Sequence, residues 1–181
     1  VSWGDWGTPL RAFNVATDAF VVKLNVDGTL PSEVSVDLDL ATGWNMVSVP
    51  LTLDPEADSP GDVFTGAVAV YTWDPTLKSY VTPDEIVPEV GYWVAVTENK
   101  TITVTGMPVT EWTDGLASGW NMCGSVYGDP VDVADLADNP SGSILDGAVY
   151  WWNPTGKSYS TADQIEEGKG YWIAATQTCD L

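Results

Sequence analysis

Three blocks of sequence occur twice in this chain of 181 residues, and they keep the same order both times. The first block is LATGWNM and then LASGWNM, the second is WDPTLKSY and then WNPTGKSY, and the third is GYWVAV and then GYWIAA. Chance does not produce three ordered matches that contain tryptophan, so the chain is an internal duplication whose two copies are expected to fold alike. The paired blocks are residues 40–46 with 116–122, 73–80 with 152–159, and 91–96 with 170–175.

Each copy has the signals of a β-rich unit. Apolar and polar residues alternate around the repeated blocks, which predicts strands. Asp74-Pro75 and Asn153-Pro154 offer the side-chain acceptor and the preset φ that a type I turn needs, so each second block is expected to form a hairpin. The predicted fold class is all-β, with two homologous β-rich repeats arranged as a sandwich or barrel about a pseudo-twofold axis.

Short helical turns are expected between the strands. Residues 59–62 (SPGD) and 129–132 (DPVD) each combine a capping residue, a proline at the first helical position and a carboxylate at the positive end of the helix dipole. Residues 82–85 (TPDE) and 161–164 (TADQ) have the pattern of a capping box. We therefore expect a brief helical turn at all four places.

The domain organisation follows from the repeat. We place an N-terminal strand or hairpin segment at 1–36, repeat copy one at 37–112 and copy two at 113–181. Copy one continues through an alternating strand at 101–105, and copy two stops before any equivalent. Residues 33–38 also alternate. Our hypothesis is that they fill the gap in copy two, so that the two copies share strands in one closed unit.

The charge balance excludes several classes of partner. The chain has 26 acidic residues, 6 basic residues and no histidine, for a formal net charge of −20. Nucleic acid needs a basic footprint, and anionic membrane surfaces repel such a chain. The apolar runs are too short for membrane insertion. The absence of histidine excludes Ser-His-Asp and Cys-His catalysis and His-rich zinc sites, so we expect no enzyme activity and no catalytic residues.

Two further sites concern metal and cysteine chemistry. Asp54, Glu56 and Asp58 place carboxylates at every second position, as at the start of a calcium loop, but the glycine at position six and the glutamate at position twelve are absent. Calcium is therefore the one candidate cofactor, with ordinary surface acids as the alternative. Cys123 and Cys179 match no metal spacing. We predict a disulfide between them if the protein is extracellular, with two buried thiols as the alternative.

The aromatic residues are the remaining candidates for a binding site. Ten tryptophans and seven tyrosines are many for this length. The tryptophans that recur in strands are predicted to pack inside or between the repeats: Trp44, Trp93, Trp120 and Trp172. Trp151 has Thr72 as its counterpart and alternates with Trp152, so one ring of that pair is expected to be exposed. The predicted platform for a sugar or a protein partner consists of Trp73, Tyr80, Trp151, Trp152 and Tyr159.

Two resemblances come from these motifs. The succession of GWN, W(D/N)P followed by KSY, and GYW resembles a tandem repeat module of secreted and surface-attached proteins from bacteria and archaea, over residues 40–181. Residues 4–30 are similar to a blade of the SBBP-type β-propeller repeat. Both resemblances imply an extracellular or cell-surface location within a larger multidomain protein. The repeat module has no assigned chemistry, so no catalytic residue is carried over from it.

The expected function is that of a non-catalytic extracellular or cell-surface module, which serves as a spacer, adhesion or assembly domain and has other domains or surface proteins as partners. The alternative is a carbohydrate-binding module that uses exposed aromatic rings to bind glycans, with or without calcium.

Overall fold

The computed structural model describes residues 32–112 and 115–181. The segment similar to a propeller blade lies outside the described residues. Val34–Leu181 form one compact unit that contains both sequence copies. The described part of the chain is all-β, as the sequence predicts, with strands joined by short turns and one helical turn in each copy.

Copy one contains seven strands and a single turn of α-helix. The first strand of the repeat, β2, pairs with the GYW strand, β6, which pairs with the β4–β5 hairpin in a four-stranded antiparallel sheet of order β2-β6-β4-β5. A second sheet has the order β1-β7-β3. The bounds are β1 Val34–Leu40, β2 Gly43–Ser48, β3 Leu51–Thr52, α1 Pro60–Val63, β4 Ala69–Asp74, β5 Ser79–Val81, β6 Gly91–Val96 and β7 Lys100–Pro108.

Copy two repeats the main sheet. The GWN strand β9, the GYW strand β14 and the β11–β12 hairpin pair in the order β9-β14-β11-β12, which matches copy one strand for strand. Two short pairs, β8 with β15 and β10 with β13, complete it. The bounds are β8 Gly115–Leu116, β9 Gly119–Cys123, β10 Val131–Asp132, a 3-10 turn Val133–Asp135, β11 Ile144–Asn153, β12 Ser158–Thr161, β13 Gln164–Ile165, β14 Tyr171–Ala175 and β15 Cys179–Asp180.

Each copy has its own apolar core, and a third cluster lies between the copies. Alternation directs one face of each GYW strand into the core of its own copy, where Tyr92 and Tyr171 are almost fully buried. The opposite face of β6 carries Trp93 into the third cluster, together with Met46 and Met122. Strand β6 is therefore buried on both faces, which explains its uninterrupted apolar sequence.

The main chains of the two copies touch at two reciprocal points. Val47 forms a single antiparallel bridge with Lys169, and Cys123 forms the matching bridge with Val90. Gly91 and Gly170, the glycines of the two GYW blocks, lie at these crossings. A Cβ on Gly91 would come within 2.8 Å of the Cys123 carbonyl oxygen, and one on Gly170 within 2.8 Å of the Val47 carbonyl oxygen. The repeated glycine is thus required by close backbone approach.

The loop before each GYW block contacts the other copy through main-chain atoms. Its side chains can therefore differ between the two copies. The Ser48 N–H donates to the Gly168 carbonyl at 2.9 Å, and the Gly124 N–H donates to the Glu89 carbonyl at 2.6 Å. Gly168 and Glu89 occupy equivalent positions and both have positive φ, 78° and 67°. Copy one therefore makes the same contact without the Gly-Lys sequence of copy two.

The strand-sharing hypothesis is wrong. Strand β1 pairs with β7 along its whole length, from Val34 with Gly106 to Leu40 with Lys100. The inward residues of β1 belong to the core of copy one, and its outward side chains bond to the threonines of β7, as between Asp37 and Thr103 at 2.6 Å. In copy two, the short β8–β15 pair takes the equivalent place.

Of the four predicted helical turns, only the first is confirmed. At α1 the Ser59 hydroxyl accepts from the Asp62 N–H at 3.3 Å. In copy two the 3-10 turn starts only after residues 129–132, because Asp132 pairs with Gln164 and accepts its side-chain amide at 2.8 Å. Residues 82–85 form a bend, and residues 161–164 run from the end of β12 into β13. Sheet pairing at Gln164 therefore replaces the local cap that the sequence favours.

Replacing either interface glycine with alanine should weaken the contact between copies. For Gly91→Ala and Gly170→Ala we expect a loss of about 1–3 kcal/mol in the free energy of unfolding, because the new methyl group meets a main-chain oxygen that cannot move aside. Chemical denaturation measures this loss. Gly61→Ala is the matched control, since its nearest neighbour would be 3.9 Å away. Equal stability of all three variants would contradict the close approach.

Two buried tyrosines should make the fold sensitive to alkali. Burial raises the pKa of Tyr92 and of Tyr171 to about 12, from an ordinary value near 10. Because the folded state favours the neutral phenols, their contribution to stability is complete below pH 10 and is lost as the pH rises from about 10 to about 12. Ultraviolet titration should show two tyrosines that ionise together with unfolding. Ionisation of every tyrosine near pH 10 in a folded protein would contradict this.

Candidate functional site

An aromatic face lies where the two four-stranded sheets meet. Each copy contributes five side chains to it, and all five are identical between the copies. The aromatic face consists of Trp44, Tyr71, Trp73, Tyr80 and Trp93 from copy one, with their counterparts Trp120, Tyr150, Trp152, Tyr159 and Trp172 from copy two.

The hairpins position two rings of each copy by register. Trp73 lies directly opposite Tyr80 across the β4–β5 pair, with ring centroids 5.3 Å apart, and Trp152 lies opposite Tyr159 at 5.1 Å. Asp74 Oδ1 accepts the N–H groups of the following turn at 2.8 and 2.9 Å. Its counterpart Asn153 does the same at 3.0 and 2.9 Å. Either side chain supplies the required acceptor oxygen.

The GWN block presents a tryptophan outward. The buried Asn45 side chain accepts the Ala41 N–H at 2.9 Å and donates to the Ala41 carbonyl at 2.8 Å, and Asn121 makes the same pair with Ala117. This tight loop needs a positive φ at the intervening glycine. The neighbouring tryptophan then points to the other side of the strand, where Trp44 and Trp120 are about half exposed.

Indole hydrogen bonds join the copies reciprocally. Trp73 Nε1 donates to the Trp120 carbonyl at 2.9 Å, and Trp152 Nε1 donates to the Trp44 carbonyl, also at 2.9 Å. Each hairpin thus reaches the first repeat strand of the other copy. Within the described residues, the indole N–H groups of Trp44 and Trp120 have no such acceptor and remain able to donate to a ligand.

The tyrosine hydroxyls fix the remaining rings. Trp93 Nε1 donates to the Tyr80 hydroxyl at 3.3 Å, and Trp172 Nε1 donates to the Tyr159 hydroxyl at 3.1 Å. Partial burial raises the pKa of Tyr159, so this hydroxyl is neutral at physiological pH. The rings meet edge to face, which is the favourable geometry for aromatic quadrupoles. The rings of the aromatic face are consequently held in place before any ligand arrives.

Two grooves open on the aromatic face. The Trp120 groove has a volume of about 430 Å³ and is lined by Trp73, Tyr80, Trp120, Tyr150, Tyr159 and Trp172. The Trp44 groove has a volume of about 490 Å³ and is lined by Trp44, Tyr71, Tyr80, Trp93, Trp152 and Tyr159. Tyr80 and Tyr159 line both grooves. Every lining side chain is aromatic and uncharged, so the grooves offer ring faces, phenol hydroxyls and indole N–H groups.

The structure brings together four of the five residues of the predicted platform. Trp73, Tyr80, Trp152 and Tyr159 lie on the aromatic face. Trp151 lies on the opposite side of β11 and packs against the core of copy two, with Lys169 Nζ 5.1 Å from its ring centroid. Its ring borders a cleft of about 240 Å³ that Trp152 also lines and that contains charged side chains.

Sequence reasoning missed two exposed rings. Trp93 packs between the copies as predicted, whereas Trp44 and Trp120 were predicted to be packed and are 44% and 47% exposed. The signal lies in the GWN block itself. Neighbouring residues of a strand point to opposite faces, so a tryptophan next to a buried asparagine points outward. Trp151 and Trp152 do point to opposite sides, but both rings are partly buried, because each side of β11 is covered.

The acidic segment at 54–58 forms a turn. Asp54 Oδ1 accepts the Glu56 N–H at 3.0 Å, its carbonyl accepts the Ala57 N–H at 2.8 Å, and the Asp58 carbonyl accepts the Ile86 N–H at 2.7 Å. Over residues 32–112 and 115–181, no three histidine, cysteine, aspartate or glutamate side chains converge in a way that could hold a metal ion. The described contacts at Asp54 and Asp58 are those of a structural turn.

The two cysteines of the predicted disulfide both lie in the apolar core of copy two. Cys123 and Cys179 are both buried as thiols. They lie on different sheets, since Cys123 pairs with Tyr171 in the four-stranded sheet and Cys179 pairs with Leu116 in the β8–β15 ladder. Both belong to the apolar core of copy two, and burial raises the pKa of the Cys179 thiol. Each cysteine therefore contributes as a small apolar side chain.

Thiol titration under non-reducing conditions tests whether Cys123 and Cys179 form the predicted disulfide. A disulfide reagent such as DTNB should react slowly with the native protein, because both thiols are buried and the Cys179 pKa is raised. After denaturation in guanidinium, two thiols per chain should react at once. If the denatured, unreduced chain contains no reactive thiol, Cys123 and Cys179 form the predicted disulfide.

Comparisons with protein-family models, with curated proteins and with solved structures find no match for this chain. In the part of the chain that the structure describes, no helix is long and apolar enough to cross a membrane.

Proposed function

We propose that this chain is a non-catalytic binding module of a larger extracellular or cell-surface protein, and that its aromatic face binds carbohydrate. The observation that carries the proposal is the exposure of identical aromatic rings in two equivalent grooves. Trp44, Trp120, Tyr80 and Tyr159 are 44–49% exposed, and they cluster on one face. Clustered exposed apolar side chains mark interaction sites more often than scattered ones do.

The chemistry of the grooves fits a neutral sugar chain. The apolar C–H face of a sugar ring stacks on a tryptophan or tyrosine ring, while its hydroxyls bond to phenol hydroxyls and indole N–H groups. Trp44 and Trp120 provide half-exposed rings whose indole donors have no acceptor among the described residues. No charged side chain lines either groove, and the chain carries a formal net charge of −20. An acidic glycan would be repelled by that charge and would find no cation in the grooves.

The preorganised rings support binding over a purely structural role. Packing between the copies uses Met46, Met122 and Trp93, which are buried. The interface hydrogen bonds at Trp44 and Trp120 are accepted by their backbone carbonyls. Their rings pack edge-on against Trp93 and Trp172, yet about half of each side chain stays exposed. Their half-exposed rings are explained by a ligand. Binding through such a face serves adhesion or assembly within a multidomain surface protein.

Removing the exposed rings should abolish glycan binding and leave the fold intact. We expect the unmodified chain to be retarded in native gels that contain a neutral glucan, xylan or mannan, and to migrate freely in gels with alginate. Trp44→Ala combined with Trp120→Ala should remove the retardation, because each groove then loses its half-exposed tryptophan ring.

Two matched controls belong to this experiment. Leu77→Ala removes a residue that is 66% exposed and is not part of either groove, and Trp151→Ala removes a tryptophan on the other side of β11. Both should be retarded like the unmodified chain. Free migration of the unmodified chain in every neutral gel, or loss of binding only in Trp151→Ala, would refute carbohydrate binding at the aromatic face.

A further inference from the structure

We infer that the aromatic face binds two glycan chains at the same time, one in each groove and in opposite directions, so that the module cross-links neutral polysaccharide. This inference rests on the proposed carbohydrate function and adds to it the stoichiometry and direction of binding. It follows from the symmetry of the contacts that build the grooves.

The contacts between the copies are reciprocal. Trp73 of copy one donates to the main chain at Trp120 of copy two, and Trp152 of copy two donates to the main chain at Trp44 of copy one, both at 2.9 Å. The backbone bridge at Val47 likewise has its reciprocal partner bridge at Cys123. Reciprocal pairs of this kind are the signature of a twofold relation, whereas a translated repeat would give contacts in one direction only.

The ring geometry obeys the same symmetry. The Trp120–Trp172 centroids are 6.3 Å apart at 85°, and the matching Trp44–Trp93 pair is at 6.2 Å and 85°. The Trp73–Trp172 pair is at 5.4 Å and 78°, and its counterpart, Trp93 with Trp152, is at 5.3 Å and 77°. The two grooves therefore present nearly the same arrangement of rings and should have similar affinities for one ligand.

A twofold relation has a direct consequence for a directional polymer. A glycan has a reducing and a non-reducing end, and a groove built from asymmetric rings favours one direction of the chain. Because the twofold relation exchanges two grooves on the same face, its axis passes through that face, and the rotation by 180° reverses the direction of a chain that lies along the face. One continuous chain cannot meet the preference of both grooves, so two chains are bound side by side with opposite directions.

The grooves are adjacent as well as equivalent. Tyr80 and Tyr159 line both grooves, and their hydroxyls are fixed by Trp93 and Trp172. A ligand in one groove therefore touches rings that the other groove shares. Two bound chains would lie close together, which suits a module that holds neighbouring polysaccharide strands in a surface layer.

Isothermal titration calorimetry on the full chain measures the stoichiometry, with neutral hexasaccharides of glucose, xylose and mannose as probes. For a hexasaccharide that binds, we expect two molecules per protein chain with similar affinities. Trp44→Ala and Trp120→Ala, each alone, should leave one site of unchanged affinity per chain and weaken the altered groove by about tenfold or more. Thermal melting establishes that each variant is folded, and Trp→Phe versions replace any alanine variant that is not.

Light scattering with the corresponding long polymer measures cross-linking. The unmodified chain should raise the scattering of the polysaccharide solution, and either single variant should bind the polymer without raising it. One hexasaccharide per unmodified chain would overturn cross-linking and leave carbohydrate binding in place. No heat with any hexasaccharide, or binding only of a proline-rich peptide, would overturn both proposals.

Discussion

The described fold depends on a close, reciprocal approach of two main chains. The GYW glycines, Gly91 and Gly170, let the backbone of each copy come against the carbonyl of the other, at distances where no methyl group fits. The crossed indole hydrogen bonds join the same two copies. Each groove is lined by rings from both copies, so the grooves exist only when both copies are present. One copy alone would expose Met46 and Trp93, which are buried in the pair.

The duplication made much of this fold predictable. Alternation located the strands of the repeat, and the Asp-Pro and Asn-Pro pairs located both hairpins, because these signals act within a few residues. The prediction failed where distant partners compete with local chemistry. Residues 161–164 have a capping pattern, yet Gln164 finds a partner in Asp132 across the sheet. Strand β1 pairs with β7 within copy one, and its inward side chains pack in the core of that copy. No local sequence motif indicates this pairing.

The sequence predicts that the site is aromatic better than it predicts which aromatic residues belong to it. Trp73, Tyr80, Trp152 and Tyr159 belong to the predicted platform, and they lie together on the aromatic face. Trp151 is unique to copy two, but it packs against the core of that copy and lines neither groove. The rings that both copies retain are the ones that build the grooves. Within a duplicated chain, identity between copies was therefore the better guide to the site.

The central claim is that neutral glycans bind to Trp44 and Trp120 on the aromatic face. Two-dimensional NMR of the indole N–H groups tests it most directly, with Trp→Phe variants to assign each signal. On titration with a neutral hexasaccharide, the Trp44 and Trp120 signals should shift together, because their side chains line equivalent grooves, while the Trp151 signal stays in place. A titration in which both signals remain still, or in which only Trp151 responds, would contradict the claim.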